Sequence, residues 1–577
     1  MEKTINLLPC YMEIFKKIIL TVIVLVICFS CNEKEYLREI PLDFYAPENS
    51  YVTSKDFDAA IYGLHSLYRT AFWNDRQPRH LWIGSDLVES YYDVLQQQDF
   101  QALWGPTGEL SSDFWSHSYH LIYNANAIIG RSESDLTELT DTEKTIYQAE
   151  ARFWRGYIYT FMAHMWGGVP LVLEETQSPK RDYVRATRQE VYEQCADDLK
   201  FAADNLPDIG IADESRINKL AASHVLAEVY ISLGRWQDAI DEASKVISHP
   251  ATALMTERFG TSQEKMFNDP DWEGDLYWDL FRQGNQDRFR GNTESIWVLQ
   301  FSNEYSTPGG GESSDYILAR NVCPDLTKAM ILQSNGKTSP VLAKPNTYYS
   351  NRGVGYCKPS PYYFNTLWAK SGDGDMRCSK WNIVRDYKVL NPSNQYNGKW
   401  VIADNLPLIK ALANDTSQFF YPTLTKTVTP GMDPKELWDQ DQTIPGSLRT
   451  SARRTWRKHY QIRLAETYLL RAEAYLGKGD ATKAAEDINV VRRRANAPDV
   501  TPAKVDIEYI LDERMRELAF EELRLVTLAR LGKMVDRTKR INPVAGRSIK
   551  SHQNLWAIPF SEITKNTEAI LEQNPGY

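Results

Sequence analysis

Between Phe72 and Pro106 the chain reads FWNDRQPRHLWIGSDLVESYYDVLQQQDFQALWGP. Trp73, Trp82, Tyr91, Tyr92 and Trp104 supply aromatic planes, Arg76 and Asp86 supply forked polar groups, and Gln96 to Gln98 supply amides. A sugar presents an apolar C–H face and a rim of hydroxyls, so a pocket for one wants an aromatic plane beside bidentate polar partners. This stretch carries both. Asn303, Glu304 and Tyr305 offer a second contribution, and Tyr348 with Tyr349 a third. Taken singly, each aromatic is better explained by core packing, and Arg76 with Asp86 equally make an ion pair at a loop base. The expectation of a ligand site therefore concerns the cluster.

Bond-breaking chemistry finds less support. Asp275 with Asp279 and Asp373 with Asp375 are the kind of carboxylate pair a glycosidase needs, but among 76 acidic residues such pairs arise by chance. Asp373-Gly374-Asp375 has the start of a calcium loop without its remaining ligands or distal Glu. The His residues form no His-Glu-x-x-His pattern. Gly309-Gly310-Gly311 lacks the Lys and the strand-to-helix setting of a phosphate cradle. The sequence therefore points to no active site, metal or cofactor.

These side chains need a frame, and self-similarity supplies one. Ala227, Tyr230, Gly234, Ala239 and Ala243 within residues 218–250 match Ala472, Tyr475, Gly479, Ala484 and Ile488 within 463–494, every pair 245 apart. Small residues that let two antiparallel helices approach, a Tyr between them and a turn Gly make a tetratricopeptide-like pattern. Ala149 to Trp166, with Gly156 and Tyr159, is a third candidate. Such units need neighbours to bury their faces, so about four pairs are expected. Ser54 to Ala71 reads as a helix capped by Thr53 or Ser54, with Phe57, Ile61, Leu64 and Tyr68 on one stripe. Val191 to Asn205 and Asp506 to Leu531 read likewise. In the last, Leu511, Met515, Leu518, Leu525 and Ala529 form the apolar face, and the Glu and Arg residues read as a solvated, ion-paired face. From 251 to about 450 helical periodicity lapses into Gly, Pro, Asn and aromatic residues, with one strand expected over Ser295 to Phe301. Long loops on a rigid frame are where function usually sits.

The N-terminal region sets the compartment. Lys16-Lys17, the apolar run Ile18 to Phe29 and then Ser30-Cys31 read as a secretory signal ending at a lipid-attachment cysteine. The run is shorter than the ~20 residues of a membrane helix. Cys28-Phe29-Ser30 fits the usual lipobox only at its small last residue, and Met12 is the expected translation start. Asn32 to Glu35 form a charged tether expected to stay in water. The net charge of −10 excludes nucleic acid as a partner. With Cys10 and Cys28 in the signal and Cys31 acylated, Cys195, Cys323, Cys357 and Cys378 remain, at no Cys-x-x-Cys spacing. Buried thiols are expected, with Cys357–Cys378 the alternative bridge.

In order along the chain, AEARFWRGY from Ala149 leading to Trp166-Gly167-Gly168-Val169-Pro170-Leu171, Asp375-Met376-Arg377, Asn382 to Arg385, Glu513-Arg514 to Gly532, Ile558-Pro559 and the tail Gln573-Asn574-Pro575-Gly576-Tyr577 resemble the SusD/RagB family of outer-membrane nutrient-binding lipoproteins. The resemblance implies a mainly α fold, a right-handed superhelix of about four tetratricopeptide-like pairs with a loop-rich region containing few short strands. It divides the chain into a signal over 1–30, an N-terminal helical region over 31–250 and a C-terminal region over 251–577, with a helix pair at about 460–500. It also implies an outer-membrane protein, anchored in lipid through Cys31 and facing outward. Such a protein captures oligosaccharide and passes it to a SusC-like TonB-dependent transporter on which it sits as a lid. No catalysis is implied, and no fixed ligand motif carries over. A peptide-binding or structural lid is the alternative, and a glycoside hydrolase a third class.

Overall fold

The computed structural model describes residues 12–13, 15–19, 50–73, 77–90, 99–261, 273–301, 318–409, 416–428, 430–452, 455 and 457–577. Cys31, the tether and most of the proposed signal lie outside the described residues.

Local sequence sets the helix starts. Thr140 and Thr187 each accept a hydrogen bond from the backbone N–H of a Glu three residues on, and that Glu side chain bonds back to the cap backbone. These two capping boxes open α3 (Asp141–Trp166) and α4 (Arg188–Asn205). The frame also contains α1 (Ser54–Trp73), α2 (Glu109–Ser132), α5 (Lys219–Ser232), α6 (Trp236–Ile247), α7 (Leu464–Gly477) and α8 (Ala481–Arg494). α1 packs on α2 and α3, and from α2 to α8 each helix packs on the next. That chain of neighbours includes α6 on α7, although the loop-rich stretch separates them in sequence. The shared 245-residue register thus marks two helix pairs that stack directly.

The AEARFWRGY motif has a packing cause. A Cβ on Gly156 would stand 3.0 Å from Leu199 Cγ and 3.2 Å from Asp198 Cβ, so only glycine lets α3 lie this close to α4. Arg155, one residue earlier, grips Asp198 with two hydrogen bonds of 2.7 Å. The terminal QNPGY also has a place. Asn574 donates to the carbonyls of Trp166 (2.9 Å) and Trp556 (2.7 Å), and the Tyr577 hydroxyl donates to Leu555 O.

Among the described residues the named strands form short antiparallel pairs. These are β1 (Val88–Glu89) with β5 (Lys358–Pro359), β2 (Ser295–Leu299) with β8 (His459–Arg463), β3 (Met330–Leu332) with β4 (Thr338–Pro340), and β6 (Ile383–Val384) with β7 (Thr423–Leu424). The expected strand is β2, ending two residues early. Its Trp297 sits among the rings of Phe153, Trp154 and Tyr157 at 5.3–5.6 Å, which ties the loop region to α3. Cys195, Cys323, Cys357 and Cys378 are free thiols, so Cys357 and Cys378 form no bridge.

The expected single helix from Asp506 to Leu531 is two, α9 (Ile507–Leu518) and α10 (Arg524–Arg530), followed by α11 (Met534–Ile541). Phe520 breaks it. Its backbone is left-handed at φ 62°, a costly choice for a non-glycine residue. That conformation buries the ring against Trp82 at 5.3 Å. The charged face of this segment is also not solvated. Glu513, Arg514, Arg516, Glu517 and Arg524 are buried. Glu517 receives Arg377 at 3.0 Å, Arg463 at 2.8 Å and Arg494. Burial alone would raise its carboxyl, but the Arg494, Arg463 and Arg377 guanidiniums hold it well below the carboxylate range.

Candidate ligand-binding site

The ring of Tyr356 is the meeting point of three stretches of chain. The Arg79 guanidinium lies over it at 4.5 Å and that of Arg320 at 5.7 Å, and Arg320 Nη2 donates to the Tyr356 hydroxyl at 3.4 Å. Backbone bonds fix this register. Val354 N–H donates to Arg320 O at 2.9 Å, and Cys357 N–H to Asn321 O at 2.7 Å. Two residues past Tyr356, β5 pairs with β1, placing Lys358 opposite Glu89 with 3.5 Å between their charges. Arg79 follows residues 74–76, β1 precedes 91–98, and Arg320 follows 302–317. The anchored ends of three segments singled out in the sequence therefore share one floor. Burial pushes the adjacent Cys357 thiol up to about 12, against the pull of Arg79, so it is an inert packing group here.

The structure divides the sequence-nominated residues. Trp73, Trp82, Asp86 and Trp104 are core residues, which corrects their assignment to a ligand surface. Trp82 donates its indole N–H to Glu522 O at 2.8 Å. Asp86 binds Arg524 at 2.8 and 2.7 Å and also Arg537. Burial opposes its ionisation, yet those two cations bring its pKa down to about 2. Asp86 is thus the buried partner of C-terminal arginines. Trp104 stacks on Phe100 at 4.2 Å and presses on Gly84, where a Cβ would meet its ring at 2.7 Å and φ is +89°. Tyr349 is buried against Tyr387 at 5.8 Å. Tyr348 is half-buried near Trp438, at 6.5 Å between rings. Arg76, Tyr91, Tyr92, Asn303 and Tyr305 lie outside the described residues.

Arg79, Arg320 and Tyr356 escaped the sequence reading. Arg79 lies inside the nominated Phe72–Pro106 stretch, and Tyr356 in a Gly- and Tyr-rich run, but nothing local joins them. Of the carboxylate pairs, Asp275 caps Trp278 N–H and accepts from Ser379 and Asn382, Asp279 binds Arg258, and Asp375 binds Arg377. Each is spent on structure. A separate cleft of 240 Å³ lies between α2 and the C-terminal tail, lined by Trp115, Tyr119, Tyr123 and Tyr183 among others.

Two family profiles match the chain. One, described as the SusD family, covers residues 293–577, and another, described as starch-binding associating with outer membrane, covers 78–231. A SusD-like protein of Formosa agariphila is 25% identical over 97% of this chain and 99% of its own length. One from Bacteroides ovatus is 27% identical over 50% of this chain and 51% of its own. Among solved structures, a laminarin binding SusD-like protein superposes with a TM-score of 0.64 at 22% identity, covering 91% of this chain and all of that one. Surface glycan-binding protein A from Bacteroides thetaiotaomicron, in complex with laminarihexaose, gives 0.63 at 17% identity over the same shares. At these identities the structural likeness speaks for the fold, mainly helical with few short strands, as expected. With both profiles matching successive parts of one chain, and the motif that joins α3 to α4 and the tail that locks the Trp166 turn both explained by packing, the chain belongs to the SusD/RagB family.

Proposed function

We propose that this chain is a cell-surface, lipid-anchored glycan-binding protein that captures oligosaccharide and delivers it to a partner SusC-like TonB-dependent outer-membrane transporter, acting as its lid. The observation that carries the reading is the Tyr356 floor, where the described ends of the three segments that carry Arg76, Tyr91, Tyr92, Asn303 and Tyr305 are held together. Ligand contacts are assigned to Arg76, Tyr91, Tyr92, Asn303, Tyr305 and Tyr348. An aromatic plane takes the C–H face of a sugar, and the forked or amide groups take its hydroxyls. The family description names starch and the outer membrane, and two fold relatives are named for laminarin or solved with laminarihexaose, which supports a glycan over a peptide. The engagement of Asp275, Asp279 and Asp375 in structural bonds supports binding without hydrolysis.

Calorimetry of the purified chain against a glycan panel, beside a reducing-sugar release assay, tests this. Micromolar binding without product is expected. Product release would overturn the non-enzymatic reading, and silence across the panel would turn attention to peptide capture or a purely structural lid. Radiolabelled fatty acid entering the wild-type chain but not Cys31→Ser would establish the anchor.

A further inference from the structure

The cleft beside α2 is built by three stretches of chain far apart in sequence. Trp115, Tyr119 and Tyr123 come from α2 at a spacing of four, which puts them on one helix face. Pro170 and Tyr183 come from the stretch after α3, and Glu562 and Asn566 from the C-terminal tail. Hydrogen bonds among these same residues fix the shape. The Tyr119 hydroxyl donates to Pro170 O at 2.8 Å. The Asn566 amide accepts from Tyr183 N–H and donates to Tyr183 O, both at 2.8 Å. Trp115 is braced by Trp166, whose ring meets it edge-on at 5.5 Å. The rings are thus in place beforehand, which spares a ligand the cost of ordering them.

Other polar groups in the lining are uncommitted. Among the described residues the hydroxyls of Ser116, Tyr123, Thr176 and Tyr183 have no hydrogen-bond partner. The Glu562 carboxylate, bonded to Lys565 at 2.8 Å, adds an acceptor. Solvent reaches the cleft, since Ser116 and Thr176 are exposed and Tyr123 is 42% exposed. Its volume is 240 Å³, whereas about 150 Å³ admits a benzene ring, so one six-membered ring with its substituents fits. A slot for hydrocarbon has no use for four hydroxyls, and a groove for water has no use for four aromatic rings. A sugar uses both, laying its C–H face on the rings and its hydroxyls on the polar groups.

We propose that this cleft is a second carbohydrate site, taking one hexose ring and sharing no residue with the Tyr356 floor. Its use in capture rests on the glycan-binding reading above. A polymer held at two points escapes more slowly than one held at either alone, because the second contact re-forms at high effective concentration. The affinity of the cleft for a hexose ring does not rest on that reading.

Nitration of the full chain by tetranitromethane, read by peptide mapping, reports on the cleft directly. Tyr123 stands in its lining, and Tyr62 of α1, 44% exposed, stands outside it as a control. The probes are the methyl glycosides of glucose, galactose and mannose. At least one should slow nitration of Tyr123 by about fivefold at saturation and leave Tyr62 unchanged. Ser116→Ala combined with Tyr183→Phe keeps every ring and removes two hydroxyls, so about tenfold more glycoside should be needed for the same protection. Unaltered nitration of Tyr123 with all three glycosides, or protection undiminished in the double variant, would overturn the proposal. Protection by phenol and by no glycoside would make the cleft a socket for an aromatic side chain and overturn it equally. Glycan binding in calorimetry with Tyr123 unprotected would sink this site alone. Protection of Tyr123 by a glycoside, with calorimetry silent across the glycan panel, would sink the capture reading alone.

Discussion

Arg377, Arg463 and Arg494 in one cluster, and Arg79 and Arg320 in another, put the same chemical group to opposite uses. The first three are buried against α9 and paired with Asp375, Glu294, Glu513, Glu517 and Glu521, in a network that joins the loop region, β8, α8 and α9. The other two rest over a tyrosine ring at the base of segments nominated for ligand contact. A guanidinium enclosed by carboxylates locks elements together. One laid over a ring fixes that ring in place. The contrast is between guanidiniums paired with buried carboxylates and guanidiniums laid over a buried ring.

The sharpest way to break that contrast is to cut the network at its most shared member. Glu517→Ala leaves Arg377, Arg463 and Arg494 buried without the carboxylate common to all three. Removing one partner from a buried pair costs about 3–5 kcal/mol, so the denaturant midpoint should fall steeply if the protein folds at all. An unchanged midpoint would show that the network is dispensable.

A second test works through protons in the neighbouring cavity between α5 and α7. Burial pulls His224 down from 6.5 to about 4, with Glu228 opposing and Arg514 reinforcing the shift. Its Nδ1 shares a hydrogen bond of 2.9 Å with Thr467 Oγ1, linking the two repeats. Between those two pH values the unfolded chain holds a proton that the folded chain does not. Stability is therefore lost as pH falls from about 6.5 towards 4, by about 3 kcal/mol for this group. Glu228 and Glu466, both raised by burial, titrate in the opposite sense. The measurement is accordingly the difference between the parent and His224→Gln: the variant should show the flatter loss of denaturant midpoint between pH 7 and 4.5.

Gly156→Ala probes the frame without touching charge. The added Cβ would crowd Leu199, Asp198 and the Cys195 carbonyl at 3.0–3.3 Å, and overpacking of this kind costs about 1–3 kcal/mol. Thermal unfolding should show the loss, with ligand affinity unchanged. This glycine also shows what was legible in the sequence. Spacing of small and aromatic residues is a local property, so the repeats, α1, α4 and β2 could all be read. Partners from distant chain segments could not. The Glu and Arg residues of α9 have the i,i+3 and i,i+4 spacing of a solvated face, and only the arrival of Arg377, Arg463 and Arg494 makes that face a core. Trp82 and Trp104 have the same ambiguity, because a stacking platform and a core aromatic are the same side chain until a Phe520 or a Trp556 covers it. The Tyr356 floor was hidden for the same reason.

The smallest effect on stability should be the most informative about function. Arg79 is only partly buried and lies over Tyr356 at 4.5 Å. A cation–π contact at such a site is worth about 0.5–1 kcal/mol, so Arg79→Ala should barely move the unfolding midpoint. Its effect on the floor is different in kind. Removing the guanidinium frees the ring that positions β5 and, through it, β1 and the start of 91–98. Glycan affinity should fall about tenfold, equivalent to ~1.4 kcal/mol, measured by the same calorimetry that identifies the ligand. Arg79→Lys restores the charge but not the planar stack and should recover only part of the loss. Were Arg79→Ala to bind as tightly as the parent while Glu517→Ala unfolds, the contrast between carboxylate-paired and ring-laid guanidiniums would hold on one side only, and the ligand would have to be sought away from Tyr356.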